Sequence, residues 1–192
     1  ALDLGANRDA KPEHLLQYAL MGSRYREKVH GIARPRVGLL NVGTEAAKGN
    51  EQSKAAFELL SGAPINFIGN VEARDVLTRN CDVLVCDGFS GNILLKAIEG
   101  AAETVFGVLK TELTSSWKSK LAAAILRPNF GRVRKMMDYK RYNGAPLLGV
   151  SGLVVKSHGS SNAEATMHAI RQARTAVGNG LISALADDLG GK

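Results

Sequence analysis

Only two cysteines, Cys81 and Cys86, occur in the 192 residues. They flank the apolar run 82–85, and five steps along a strand is about 17 Å with the side chains on opposite faces. That is far beyond disulfide reach. A disulfide-stapled fold is excluded, and with no further thiol and His158 as the one histidine at a candidate loop, so is a zinc site. Two reduced thiols in a cytoplasmic protein are expected. Aromatic residues make up 5%, and no apolar run approaches the roughly 20 residues that cross a bilayer. The first residues, ALDLGANRD, carry neither a start methionine nor a signal peptide and read like the middle of a longer chain.

What is present describes a globular α/β chain. Apolar residues reach 45%, charged residues 22%, and the 21 glycines suit many tight turns. The length fits one large domain or part of a two-lobed one. The net charge of +7 is concentrated: nine basic and two acidic residues lie between Lys110 and Arg141, while the remainder holds 16 of each sign. Such a local field calls for an acidic partner: nucleic acid, an anionic membrane or an acidic protein.

Strand-like runs at 2–7, 36–43, 65–71 and 82–88 alternate with helical patterns near 12–30, 50–61, 72–79 and 91–113. That alternation predicts a mainly parallel sheet with flanking helices. In such sheets ligands bind beyond the carboxyl ends of the strands. Here those ends read GAN, NVGTEAAKGN, GNVEARD and CDGFSGN, each combining glycine with asparagine, acid or lysine. A lone loop of this kind is an ordinary turn; four at one edge favour a site.

Residues 111–142 break the alternation. Trp117, Leu121 and Ile125 recur at i, i+4, i+8, with Leu126 one step round, and Arg127-Pro128 is expected to end that helix. Phe130, Val133 and Met137 then form a second stripe opposite Arg132, Arg134, Lys135 and Arg141. The pattern predicts a basic helical hairpin. It packs on its own domain or a dimer mate, or serves as a membrane-surface or carrier-docking element; the two are compatible. The tail reads as a strand-like run, PLLGVSGLVVKSHG, then a helix over 162–189 with Ser161 and Glu164 at capping-box spacing. His158, Gly159 and Ser160 precede its N-terminal amides, where an anion is favoured. His14, His30 and His168 fall within helices and read as structural or solvated.

NVGTEAAKGNE, NFIGNVEARD, CDGFSGNILLKAIEG, SKLAAAIL and KSHGSSNAEATMHAIRQA, in that order, resemble the bacterial phosphate acyltransferases of phospholipid synthesis, the PlsX family. The resemblance covers essentially the whole chain. It implies a fold like that of the isocitrate and isopropylmalate dehydrogenases, and conversion of long-chain acyl-acyl carrier protein and inorganic phosphate into acyl phosphate. The family's first-strand Asp-Ala-Met-Gly-Gly-Asp motif is absent. That implies the C-terminal part of a single phosphate acyltransferase domain over residues 1–192, with 111–142 as a hairpin insertion. Implied partners are acyl carrier protein, inorganic phosphate, an anionic membrane surface, a membrane glycerol-phosphate acyltransferase and a second copy in a homodimer. No nucleic acid, cofactor or metal is implied. The location implied is cytoplasmic, at the inner face of the membrane.

That chemistry assigns roles. A thiolate leaves easily, so the demand is to hold a phosphate dianion beside the thioester and to stabilise the oxyanion. Lys96 and Asn92, four residues apart on one helix face, suit this task, and Asp87 can orient the amine or a water. Alternatively, Asn92 is a helix cap and Lys96 a solvated lysine. Lys48, Gly49 and Asn50 form a plausible anion loop without a Walker pattern, unless Asn50 merely caps its helix. Asn70, Glu72 and Gly88 can line the same crevice. His158 is expected to bind phosphate or donate a proton, with Gly159, Ser160 and Ser161 beside it. Trp117, Leu121, Ile125, Leu126 and Phe130 are assigned to the membrane and dimer hairpin.

Three competing functions are weaker. A short-chain acyl-CoA:phosphate transferase on the same fold needs no basic apolar hairpin. A nucleic-acid-binding module could use Trp117, Phe130, Tyr139 and Tyr142 for stacking, but Trp117 and Phe130 lie on apolar stripes and no nucleic-acid motif is present. A dehydrogenase lacks its G-x-G-x-x-G.

Overall fold

The computed structural model describes residues 1–78, 80–137, 144–157 and 161–190. At its centre β1 (Arg36–Asn41) lies between β2 (Asn66–Glu72) and β3 (Val83–Val85), all parallel. Leu2 adds a parallel bridge to Val85; the rest of the expected first strand curls into a turn. Strands buried on both faces carry continuous apolar runs, and here Val37 and Val85 are fully buried and Leu39 and Val83 nearly so. α1 (Pro12–His30) and α2 (Glu51–Ser61) lay Leu15, Ala19, Ala56 and Leu60 against them. A fully buried leucine such as Leu39 or Leu60 contributes about 1.5–3 kcal/mol.

The amino edge of the sheet is laced by one ion pair. The Asp82 carboxylate accepts from the Arg36 backbone amide at 2.9 Å and from its Nε at 3.0 Å, while the Asp82 amide donates to the Arg36 carbonyl at 2.8 Å. The guanidinium holds the Asp82 carboxyl below its ordinary 3.8. A depressed carboxyl contributes stability above its unfolded value, and that contribution is lost as pH falls through the folded one. Thermal melts should therefore show Asp82→Asn less stable than the parent at pH 6, with the gap closing below about pH 4. A gap that is independent of pH would rule out the ionic contribution.

The tail differs from its sequence pattern. The strand-like run gives a separate antiparallel pair, β4 (Ala145–Leu147) and β5 (Val154–Lys156). The expected long helix is two, α5 (Ala163–Gly178) and α6 (Leu181–Gly190), divided where Gly180 turns left-handed at φ +66°. That break folds α6 back so that Leu181 and Leu185 join Ala176 and Met21 in a second core. α5 is capped by Asn162, whose side chain accepts from the Ala165 amide at 2.9 Å; Ser161 instead receives the Ser157 hydroxyl at 3.1 Å.

α3 (Gly88–Thr114) and α4 (Trp117–Met137) leave the sheet through a bend at Ser115 and Ser116. The expected turn at Arg127-Pro128 does not form, because α4 runs through Pro128. Proline removes one amide from the helix ladder, but α4 is exposed, so water can satisfy the carbonyl left behind. The residues before Pro128, Leu121 to Leu126, include three alanines, the strongest helix former. Residues 138–142 of the expected hairpin lie outside the described residues. Continuity splits the apolar side chains between two stripes. At 100° per residue, Trp117, Leu121 and Ile125 face roughly 150° away from Leu126, Phe130 and Val133. The first is bare, with Ile125 72% exposed, Trp117 72% and Leu121 59%, while the second is more covered, with Leu126 and Val133 exposed and Phe130 half-buried. Among the described residues no helix is long and apolar enough to cross a membrane.

Candidate functional site

Parallel strands end on one edge, about 4.8 Å from neighbour to neighbour. Glu72, Asn41, Cys86 and Asp3 therefore stand in a row where β2, β1, β3 and the Leu2 bridge finish. Two loops rise from this row: 42–50 after β1, and the entry to α3 after β3.

The first loop is held by side-chain amides from two strand ends. Asn41 Nδ2 donates to the Lys48 carbonyl at 3.1 Å, and its Oδ1 accepts from the Val42 amide at 2.8 Å. Asn70 Nδ2 donates to the Glu45 carbonyl at 2.8 Å. Gly49 has φ +96°, and a Cβ there would stand 2.5 Å from Asn41 Oδ1, so both conformation and space require glycine. Asn50 caps α2 by accepting from the Ser53 amide at 2.8 Å, which is the plainer of its two readings. The Lys48 stem packs beside Gly43, where the Glu45 carboxylate also lies. Asn70 is 7% exposed and its Oδ1 has no hydrogen-bond partner, a cost that a buried acceptor rarely carries without a use. Glu72 is engaged with Arg74 Nε at 2.9 Å.

The second loop opens α3. Asp87 is its N-cap, accepting from the Ser90 amide at 2.8 Å, and the Gly88 amide donates to the Asn7 carbonyl at 2.8 Å. Two of the first helical amides are thus taken within the chain. An anion here must rely on side chains and the helix field more than on those amides. Asn92 is not the cap; it stands exposed one turn on, its side chain against Gly5. Lys96 follows on the same face, 64% exposed, with Nζ 2.8 Å from Glu99 Oε2. His158, Gly159 and Ser160 lie outside the described residues. His14 is structural, its Nδ1 accepting the Lys11 amide at 3.1 Å.

Neither thiol is poised as a nucleophile. Both are free; burial raises Cys81 and pushes Cys86 up to about 12, so each is protonated near neutral pH. Among the described residues no group of three His, Cys, Asp or Glu could hold a metal. A cavity of about 480 Å³ lies elsewhere, beside the turn that enters β2, between Leu16 and Leu20 of α1, Ile65 and Asp188.

The structure therefore joins Lys48, Gly49, Asn50 and Asn70 in one cluster and Asp87, Gly88 and Asn92 in another, on the ends of adjacent strands. Sequence reasoning missed Asn41, Glu45, Asp3 and Asn7. Only their place at strand ends marked them, since their hydrogen bonds go to backbone that the sequence does not position.

The family model described as fatty acid synthesis protein matches residues 1–184. The chain is 60% identical over 186 residues to a protein named phosphate acyltransferase from Geobacillus sp. (strain WCH70), covering 97% of this chain and 56% of that one. It is 64% identical over 169 residues to the phosphate acyltransferase of Brevibacillus brevis, covering 88% and 50% respectively. With that of Bacillus anthracis it shares 56% over 185 residues, 96% of this chain and 56% of the relative. The chain thus spans about half the length of the relatives it matches.

Proposed function

Because the chain belongs to the fatty acid synthesis protein family, we propose that it forms the phosphate-holding part of an enzyme that makes acyl phosphate from long-chain acyl-acyl carrier protein. The observation that carries the reading is a loop bearing Lys48 and Asn50 beside a helix start bearing Asn92 and Lys96, on adjacent carboxyl ends of one parallel sheet, in a chain similar to phosphate acyltransferases. A phosphate oxygen attacks the thioester carbonyl, forming a C–O bond. The C–S bond of the tetrahedral intermediate then breaks, and the thiolate leaves on the carrier. In this scheme Lys48 and Lys96 balance the phosphate charge. The amide of Asn92 donates to the developing oxyanion, and Asp87 keeps α3 aimed at the site. His158, with Gly159, Ser160 and Ser161, is assigned a further anion contact in this scheme. The test is acyl-phosphate formation from acyl-acyl carrier protein and phosphate. It is run with this chain and with a chimera in which it replaces the matching part of the Geobacillus relative. Turnover with the carrier thioester supports the reading; turnover confined to short acyl-CoA sinks it.

The proposal extends to assembly. The dehydrogenase-like fold of the whole domain supplies the crevice, and α4 forms an arm on a cytoplasmic homodimer. One apolar stripe of α4 meets the second copy; the other meets anionic lipid, with Lys118, Lys120, Arg127 and Arg132 at the headgroups. There the acyl phosphate passes to a membrane glycerol-phosphate acyltransferase. Each cation near an anionic surface is worth about 1 kcal/mol, enough in sum for reversible attachment. Leu121→Glu should abolish co-flotation with phosphatidylglycerol vesicles while leaving acyl-phosphate formation intact. A variant that floats as well as the parent makes the arm a packing element only.

A further inference from the structure

We propose that Asp3 is a positioning residue for Asn92, an inference that rests on the phosphate-site reading above. Its carboxylate accepts three successive backbone amides, from Gly5 and Ala6 at 2.9 Å each and from Asn7 at 2.6 Å. Charge-assisted bonds of this kind are among the strongest a turn can have. Asp3 is itself fixed in the sheet edge, its amide donating to the Cys86 carbonyl at 2.7 Å and its carbonyl accepting the Cys86 thiol at 3.2 Å.

The turn that Asp3 shapes leans directly on the start of α3. The Asn7 carbonyl receives the first amide of that helix, Gly88, at 2.8 Å. Gly5, at φ +133°, brings bare backbone to the Asn92 side chain: a Cβ there would lie 3.6 Å from Asn92 Cβ, Cγ and Oδ1. The far end of the turn is pinned to α1, where Asn7 Nδ2 donates to Tyr18 Oη at 3.1 Å and lies 3.3 Å from His14 Nδ1. Asn92 is exposed and on the first turns of its helix, so the wall beside it comes from this turn. Asp3 thus acts through backbone, not as an acid or base.

A double-mutant cycle on the full chain tests this, with acyl-acyl carrier protein and inorganic phosphate as substrates. Asp3→Asn keeps the shape but replaces one acceptor oxygen by a donor facing amide N–H groups. It should lower kcat about 10-fold, the scale of a small misplacement of a reacting group, with the KM for phosphate unchanged. Asn92→Ala should lower kcat further, and the double variant should be no slower than Asn92→Ala alone. Losses that multiply would overturn the proposal, since independent sites add in free energy. Gly5→Ala disturbs the same turn from its other side and should give the same non-additive pattern if Asp3→Asn does not fold. The side-chain amide signals of Asn92 in a ¹⁵N spectrum should move in Asp3→Asn; unchanged signals would overturn positioning whatever the kinetics. If Asn92→Ala leaves kcat intact, the role given to Asn92 in the phosphate site is what fails, and the spectrum still decides whether Asp3 positions it.

Discussion

Gly91→Ala is expected to melt far below the parent or to fail to fold. Gly91 lies on the first turn of α3 where the helix crosses the Asp3 backbone. A Cβ there would collide with the Asp3 carbonyl oxygen and stand 2.7 Å from Cys86 Sγ. The nearest atom is backbone rather than the end of a flexible side chain, so backbone must move. The bonds most exposed to that movement are those that tie the Leu2 bridge to β3, Asp3 amide to Cys86 carbonyl and Cys86 amide to Leu2 carbonyl, each 2.7 Å. Alanine is the better helix former by about 1 kcal/mol, but overpacking a rigid contact costs typically 1–3 kcal/mol and more where backbone is displaced. A net loss of about 3 kcal/mol is expected in urea denaturation. Gly100→Ala and Gly107→Ala, on the same helix with nothing within 4 Å of the added carbon, should instead stabilise slightly. If all three variants behave alike, the Asp3 edge does not pack on α3.

Lys48→Met and Lys96→Met should each lower acyl-phosphate turnover by about 10²-fold, the usual scale for losing one preorganised contact to transition-state charge. The two lysines are presented differently. Lys48 sits on a loop whose backbone is clamped by Asn41 and Asn70, so its loss should fall on both kcat and the KM for phosphate. Lys96 projects from α3 beside Glu99, on the helix face of Asn92, and its loss should fall mainly on kcat. Lys156→Met, at the end of β5, should do little. Equal losses at Lys156 and the two site lysines would mean that the phosphate site has been misassigned.

Some of this was legible in the chain because it is local. The alternation that places β1, α2, β2 and β3 depends on apolar period and turn residues within a few positions. Even the short helix after β2 appears, as a 3-10 turn over Ala73–Thr78. The loop with Lys48 and Asn50 and the helix start with Asn92 and Lys96 were found for the same reason, since each follows a strand directly. Local rules also misled. Proline before Asn129 reads as a stop, yet α4 continues, since the helix is exposed there and water can satisfy the carbonyl it orphans. Ser161 and Glu164 have the spacing of a cap, but Asn162 takes the position.

The sequence by itself determined the α/β class, the order of elements from α1 to α3 and the family, because these follow from periodicity and from motifs read along the chain. Only the tertiary structure decided what holds the site. Asp3 meets α3 across more than eighty positions, and Asn70 reaches back to Glu45 across twenty-five. No local pattern encodes such partners; they exist because parallel strands far apart in sequence end side by side, where their polar residues must satisfy one another's backbone.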